Sequence, residues 1–225
     1  MDPKYLATAR LLTEIAPTVF ASGHFALKGG TAINLFLREM PRLSVDLDLV
    51  FTDHQLDRAD ALARINEALR EARTSLGKRG FKVQALSATD MGETKLLVQR
   101  DDLVVKVEVN TVIRGTIHPV QARSLTPAAS DALLADVEVP LLAAEEVYGG
   151  KLVAAMDRQH PRDLFDVMQL FEHGGGLRRL TLGDLVNGQI AGAEAELHRH
   201  AVDARDVAVD HHLDRALTGN EILQL

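Results

Sequence analysis

Apolar positions recur along this chain at two spacings, and the spacing predicts its elements. Leu6, Ala9, Leu12, Ile15 and Val19 fall three to four residues apart, which predicts a helix over 3–20. The apolar run Phe25-Ala26-Leu27 leads into Lys28-Gly29-Gly30-Thr31, and a helix is expected over 31–39. Pro41 ends it, because the residue before a proline avoids the helical region. Positions 45–51, Val-Asp-Leu-Asp-Leu-Val-Phe, read as a strand. A long helix over 55–76 carries Leu56, Ala59, Leu62, Ala63, Ile65, Ala68, Leu69 and Ala72 on one side. Strands are expected over 80–86, 94–99 and 103–111, with Asp101-Asp102 turning between the last two.

Past about residue 125 the pattern becomes almost wholly helical. Residues 127–140 form a proline-bounded connector with one short candidate strand at 136–139. A helix spans 143–158, and Pro161 sits where the first residue of another should, running to about Phe171. Gly174-Gly175-Gly176 stops it, and 181–225 suggest two or three more helices. The shift at this point divides the chain into an expected α+β domain over 1–125 and a mainly helical one over 126–225.

Composition narrows the classes. The 225 residues are 46% hydrophobic and 25% charged, enough to bury a substantial core. Cysteine is absent, which removes disulfides, a thiol nucleophile and a Cys-based zinc site. No apolar run reaches membrane-spanning length and no signal pattern precedes the first helix, so a cytoplasmic protein is expected. A net charge of −7 argues against an extended DNA-coating surface but leaves room for a local basic cleft. With aromatics at 4% and no Trp, a base-stacking platform for single strands is not expected.

The chemistry-bearing residues lie on particular elements. Asp46 and Asp48 share one face of their strand while Val45, Leu47 and Leu49 point the other way. Two carboxylates about 6–7 Å apart along a strand repel unless a cation lies between them, and hard oxygen donors suit Mg²⁺ or Mn²⁺. Lys106, Glu108 and Asn110 alternate with Val105, Val107 and Val109, making Glu108 a candidate third carboxylate. Gly29 and Gly30 let backbone approach a ligand closely, and a following helix N-terminus suits a phosphate. The spacing is neither a P-loop nor a dinucleotide fingerprint. Lys151 falls among apolar helical neighbours, where a cation needs a partner, and Asp163 and Asp166 share a helix face.

The order of these parts carries a resemblance. The run Leu27-Lys28-Gly29-Gly30-Thr31-Ala32-Ile33-Asn34-Leu35-Phe36, followed by Arg42-Leu43-Ser44-Val45-Asp46-Leu47-Asp48-Leu49, resembles the AbiEii-type abortive-infection toxins, nucleotidyltransferases of bacterial toxin–antitoxin systems. A second signature runs from Glu145-Glu146 through Lys151-Leu152 and Arg158 to Arg162-Asp163-Leu164-Phe165-Asp166-Val167. The likeness covers about residues 25–172.

The resemblance implies a minimal nucleotidyltransferase (polymerase beta-like) fold, a mixed sheet with flanking helices plus a C-terminal helical bundle. It implies that Asp46 and Asp48 hold the divalent metal, joined by Glu108 as a third carboxylate. Gly29, Gly30, Thr31 and Ser44 would sit by the triphosphate. Lys151 would contact its phosphates, and Asp166 or Asp163 would complete the site. Asp166 is preferred, with Asp163 alternatively holding Arg158 or Arg162. The implied cofactor is Mg²⁺ or Mn²⁺ and the co-substrate an NTP. The implied acceptor is an RNA 3′ end, with tRNA as the RNA, and the implied partner a cognate antitoxin. That partner could act by phosphorylating Ser44, where added charge would repel a triphosphate.

Arg38 and Arg42, or Lys78, Arg79 and Lys82, are candidate RNA-facing cations. Two rival readings keep or drop the chemistry: transfer to an aminoglycoside-like or protein hydroxyl, and a silent binding module. A zinc hydrolase is disfavoured, since His198 and His200, and His211 and His212, are wrongly spaced for one helical face.

Overall fold

In the computed structural model, which describes residues 2–88 and 92–173, the β-branched runs pair into one mixed seven-stranded sheet. Its strands are β1 (Phe25–Lys28), β2 (Asp46–Phe51), β3 (Lys82–Ala88), β4 (Gly92–Arg100), β5 (Leu103–Arg114), β6 (Gln121–Ser124) and β7 (Glu138–Leu141). They lie in the order β3-β4-β5-β2-β1-β7-β6. β2 runs parallel to β5 and antiparallel to β1, so the two expected carboxylate strands are neighbours.

Alternation along the strands separates two faces. Leu47 and Leu49 of β2, Leu96 and Val98 of β4, and Val105 and Val107 of β5 are buried. They join one core with helices α1 (Pro3–Val19) and α3 (Arg58–Lys78). Phe51 is fully buried and meets Phe25 edge-on with ring centroids 6.4 Å apart. The alternate positions of β2 and β5 carry charge and face the other way. Over that region pack α2 (Gly29–Thr31), which runs into a π-helical stretch, Ala32–Leu37, and the helix pair α5 (Ala144–Arg158) and α6 (Pro161–His173).

Several boundaries differ from the sequence expectation for identifiable reasons. Helix α3 starts at Arg58, not 55, because the Asp57 carboxylate caps it through Asp60 N at 2.9 Å. The helix expected over 31–39 starts at Gly29 and widens to π geometry, closing with Arg38 N on the Ile33 carbonyl at 2.9 Å. The connector expected over 127–140 contains a short helix, α4 (Pro127–Leu133), stopped where Leu134 turns left-handed at φ 52°. Before it lies the unexpected edge strand β6, exposed at all four residues and so without hydrophobic alternation.

The strand expected at 136–139 is β7, two residues later, inserted between β1 and β6. The sheet therefore draws on chain beyond residue 125, where the residue pattern had placed mainly helices and one short strand. The helices expected over 181–225, the Gly174–Gly176 stop and the four C-terminal histidines lie outside the described residues. No helix among the described residues is long and apolar enough to cross a membrane.

Replacing Phe51 with Ala should destabilise the fold by about 3–5 kcal/mol, read as a lower midpoint in urea denaturation.

Candidate active site

The charged face of β2 and β5 opens into a cleft of about 640 Å³ bounded by the Gly29–Gly30 turn on one side and α5–α6 on another. Gly29 adopts φ 77°, and a Cβ there would run into the Asp48 carboxylate. A Cβ on Gly30 would lie 2.8 Å from Arg42 Nη2 and 3.1 Å from Ser44 Oγ. Both glycines therefore make room for side chains arriving from later in the chain, which pack against the turn at the cleft wall. Thr31 is buried and does not face the cleft. Its Oγ1 donates to the Asp46 carbonyl and lies 2.9 Å from Ser44 Oγ, fixing the turn to the start of β2.

Asp46 and Asp48 both line the cleft. The register sets Asp46 beside Lys106 and Asp48 beside Glu108 on β5, with Lys28 of β1 on the other side of Asp48. Glu108 reaches the same cleft, but its oxygens are each met by a lysine: Lys95 Nζ at 2.7 Å and Lys106 Nζ at 3.1 Å.

The opposite wall comes from α5 and α6. Lys151 is buried, with Nζ 2.7 Å from Asp163 Oδ1 and 3.2 Å from Asp166 Oδ2. Arg158 Nε donates to Asp163 Oδ2 at 2.6 Å. Asp166 is 1% exposed and does not line the cleft, whereas Asp163 does. Asp163 stands in the cleft wall and holds Arg158, while Asp166 lies one layer beneath; both are buried, at 3% and 1% exposed, and both contact Lys151. Asp166 binds Arg42 in a two-pronged pair, Nε to Oδ1 at 2.8 Å and Nη2 to Oδ2 at 2.6 Å. It also accepts from Asn34 Nδ2 at 3.1 Å, which donates as well to the Gly30 carbonyl at 2.8 Å.

The family model described as "Nucleotidyl transferase AbiEii toxin, Type IV TA system" matches residues 10–217. The chain belongs to the AbiEii nucleotidyltransferase toxin family.

A search of curated proteins returned no match. Among solved structures, this AbiEii chain is similar to MenT4, a nucleotidyltransferase toxin from Mycobacterium tuberculosis H37Rv, at TM-score 0.51 and 21% identity. The match covers 81% of this chain and 62% of that one, so the chain spans less than two thirds of the MenT4 length. The fold is that of the nucleotidyltransferase toxins. The antibiotic-resistance factor ANT(2'')-Ia also matches, at TM-score 0.42 and 16% identity over 90% of this chain and 97% of that one.

Burial and neighbouring charges shift three carboxylates of the AbiEii cleft. Burial raises the Asp48 carboxyl above its usual range, the Asp46 and Glu108 charges add to this, and Lys106 and Lys28 oppose it. Burial works against ionised Glu108 too, but hydrogen bonds from Lys95 and Lys106 hold it below the usual range. Asp163 is likewise held low, against its burial, by Arg158 and Lys151.

Two of the candidate RNA-facing arginines, both partly buried, are engaged by the protein itself. Arg42 is locked on Asp166, and Arg38 donates to Tyr148 Oη at 3.0 Å and the Gln169 carbonyl at 3.3 Å. On the far side, Arg79 donates to Thr18 Oγ1 at 2.6 Å. Sequence reasoning missed Asn34, whose only signal is one amide inside the apolar run Ala32–Leu37. It also missed Glu146, which accepts from Ile117 N at 2.8 Å and His118 N at 3.2 Å and ties the chain after β5 to α5.

Two outcomes follow. Asp166→Asn should lower stability by about 3–5 kcal/mol in chemical denaturation, because Arg42 and Lys151 lose a buried counter-charge. Asp48 has a raised folded-state pKa, so its contribution is favourable below the unfolded value and is lost as pH rises through the folded one. Asp48→Asn should therefore raise the melting temperature in EDTA at neutral pH, with the gain vanishing under acid conditions.

Proposed function

We propose that this AbiEii-family chain transfers a nucleoside monophosphate from an NTP to an RNA 3′ hydroxyl, with the tRNA acceptor end as the expected site, and releases pyrophosphate. The observation that carries the reading is the convergence of Asp46, Asp48, Lys151 and Asp163 on one cleft beside the Gly29–Gly30 turn. These residues come from the two separate stretches of sequence that carry the family signatures.

The donor set suits Mg²⁺ or Mn²⁺. Among the described residues no three Asp, Glu or His side chains converge on a point as a self-sufficient metal cage. Two carboxylates on one face, Asp46 and Asp48, match the way Mg²⁺ is held by one or two protein carboxylates with substrate phosphates completing the shell. Glu108 could join them only on release from Lys95 and Lys106. When bound there, the ion supplies charge neutralisation on the polyphosphate and acidifies the attacking hydroxyl.

The protein's own groups position the reactants. Gly29 and Gly30 admit the triphosphate against the backbone, and Ser44 stands at the same wall. Lys151, oriented by Asp163 from in front and Asp166 from behind, offers its ammonium to the phosphates. The acceptor oxygen attacks the α-phosphorus, its bond to phosphorus forms as the bond to the β-phosphate oxygen breaks, and pyrophosphate departs. Positioning and charge stabilisation carry most of the rate in such transfers. In this reading a cognate antitoxin is the partner, and added negative charge at Ser44 would obstruct the triphosphate.

Purified protein incubated with each labelled NTP and total tRNA, a protein mixture or an aminoglycoside in parallel should label tRNA. Label appearing only in the protein or drug arm would overturn the acceptor assignment. Asp48→Ala should lose transfer by about a thousandfold or more while its far-UV circular dichroism stays that of the parent.

A further inference from the structure

Lys28 is a cation that the proposed transfer has not yet used. It ends β1, immediately before the Gly29–Gly30 turn, and it lines the cleft. Antiparallel register places its Cα opposite that of Asp48. Four other cations of this cleft have carboxylate partners: Arg42 holds Asp166, Lys106 holds Glu108, and Lys151 and Arg158 hold Asp163, while Arg162 is exposed to solvent. Lys28 is half-buried, yet among the described residues its ammonium makes no hydrogen bond and no ion pair. Withdrawing a cation from water without a partner is costly, so such a group is kept for something that arrives.

The surroundings say what arrives. Burial and the positive charges of Lys151 and Arg158 depress the Lys28 ammonium, while Asp48 favours its charge. Lys28 and Lys151 both line the cleft beside the glycine turn, and a polyanion entering there would meet both ammonium groups. The same space is bounded by the glycine turn, against which Asp48, Arg42 and Ser44 pack. A diffuse monovalent acceptor group would not need this arrangement; a polyphosphate chain would.

Resting on the nucleotidyltransferase reading, we propose that Lys28 is a direct ligand of the donor's polyphosphate, opposing Lys151 across the cleft. Lys28 and Lys151 grip the phosphates from the β1 side and the α5 side, and Asp46 and Asp48 stay available for a divalent ion. Lys28 thereby contributes to NTP affinity in every turnover.

Titration calorimetry with inorganic tripolyphosphate and Mg²⁺ tests this without relying on turnover. Lys28→Met keeps the aliphatic stem and removes the charge; it should weaken tripolyphosphate by about tenfold or more. Lys28→Arg should stay within about threefold of the parent, because it keeps a charged donor. Should the Met variant fold poorly by circular dichroism, Lys28→Gln gives the same comparison. In steady state the neutral variants should raise KM for the NTP more than they lower kcat. Unchanged tripolyphosphate affinity in the neutral variants overturns the proposal. So does a change confined to Mg²⁺ affinity, which would make Lys28 only a counter-charge for Asp48. If Asp48→Ala still abolishes transfer in that case, the functional reading stands and the Lys28 assignment alone falls. If the parent binds neither tripolyphosphate nor any NTP, both fall.

Discussion

One buried carboxylate, Asp166, ties the two halves of the cleft together. It lies on α6 and takes charge-assisted hydrogen bonds from Arg42, in the segment before β2, and from Lys151 on α5. It also accepts from Asn34, inside the π-helical stretch after the glycine turn. A carboxylate without water persists only when its oxygens are fully met, so these partners are held as firmly as the charge is buried. Through Asn34 the same group grips the Gly30 carbonyl, and through Arg42 it fills the space where a Gly30 side chain would stand. The glycine turn and the lysine-bearing wall therefore cannot shift independently.

The sheet applies a second constraint. Because successive residues of a strand face opposite ways, β2 and β5 can be fully aliphatic toward the core and densely charged toward the cleft. This concentrates Asp46, Asp48 and Glu108 within neighbouring rows of parallel strands. Lysines from β4 and β5 quiet Glu108, but Asp48 is left with burial and like charge against it. The fold tolerates that local cost where a site needs it, as native sequences commonly do at positions of function.

Lys28 and Lys151 mark the two sides of the same logic. Lys151 is reached by α5 and pre-oriented by two acids, a geometry that holds an ammonium still. Lys28 is reached by β1 and has no acid partner among the described residues. Together with the glycine turn, they set two ammonium groups beside a crowded acidic row.

Much of this was legible along the chain. Period-two alternation was enough to place Asp46 and Asp48 on one face and Glu108 with Lys106 on another strand, because side-chain direction in a strand is a local property. Helical spacing set α1, α3 and α5, and Asp101-Asp102 marked the β4–β5 turn, where Asp101 adopts φ 54°. Other features were not local. The edge strand β6 has no apolar face to announce it, and β7 joins the sheet only because β1 offers a parallel neighbour. The choice between Asp163 and Asp166 could not be made from spacing, since both share a helix face. Their different partners come from tertiary structure: Arg42, arriving from 124 residues earlier, pairs with Asp166, and Arg158 with Asp163. Sequence alone determined which residues carry charge and which way each points from its own strand or helix. Only tertiary structure decided which charges meet, because pairing across a cleft depends on contacts between segments that no local period records.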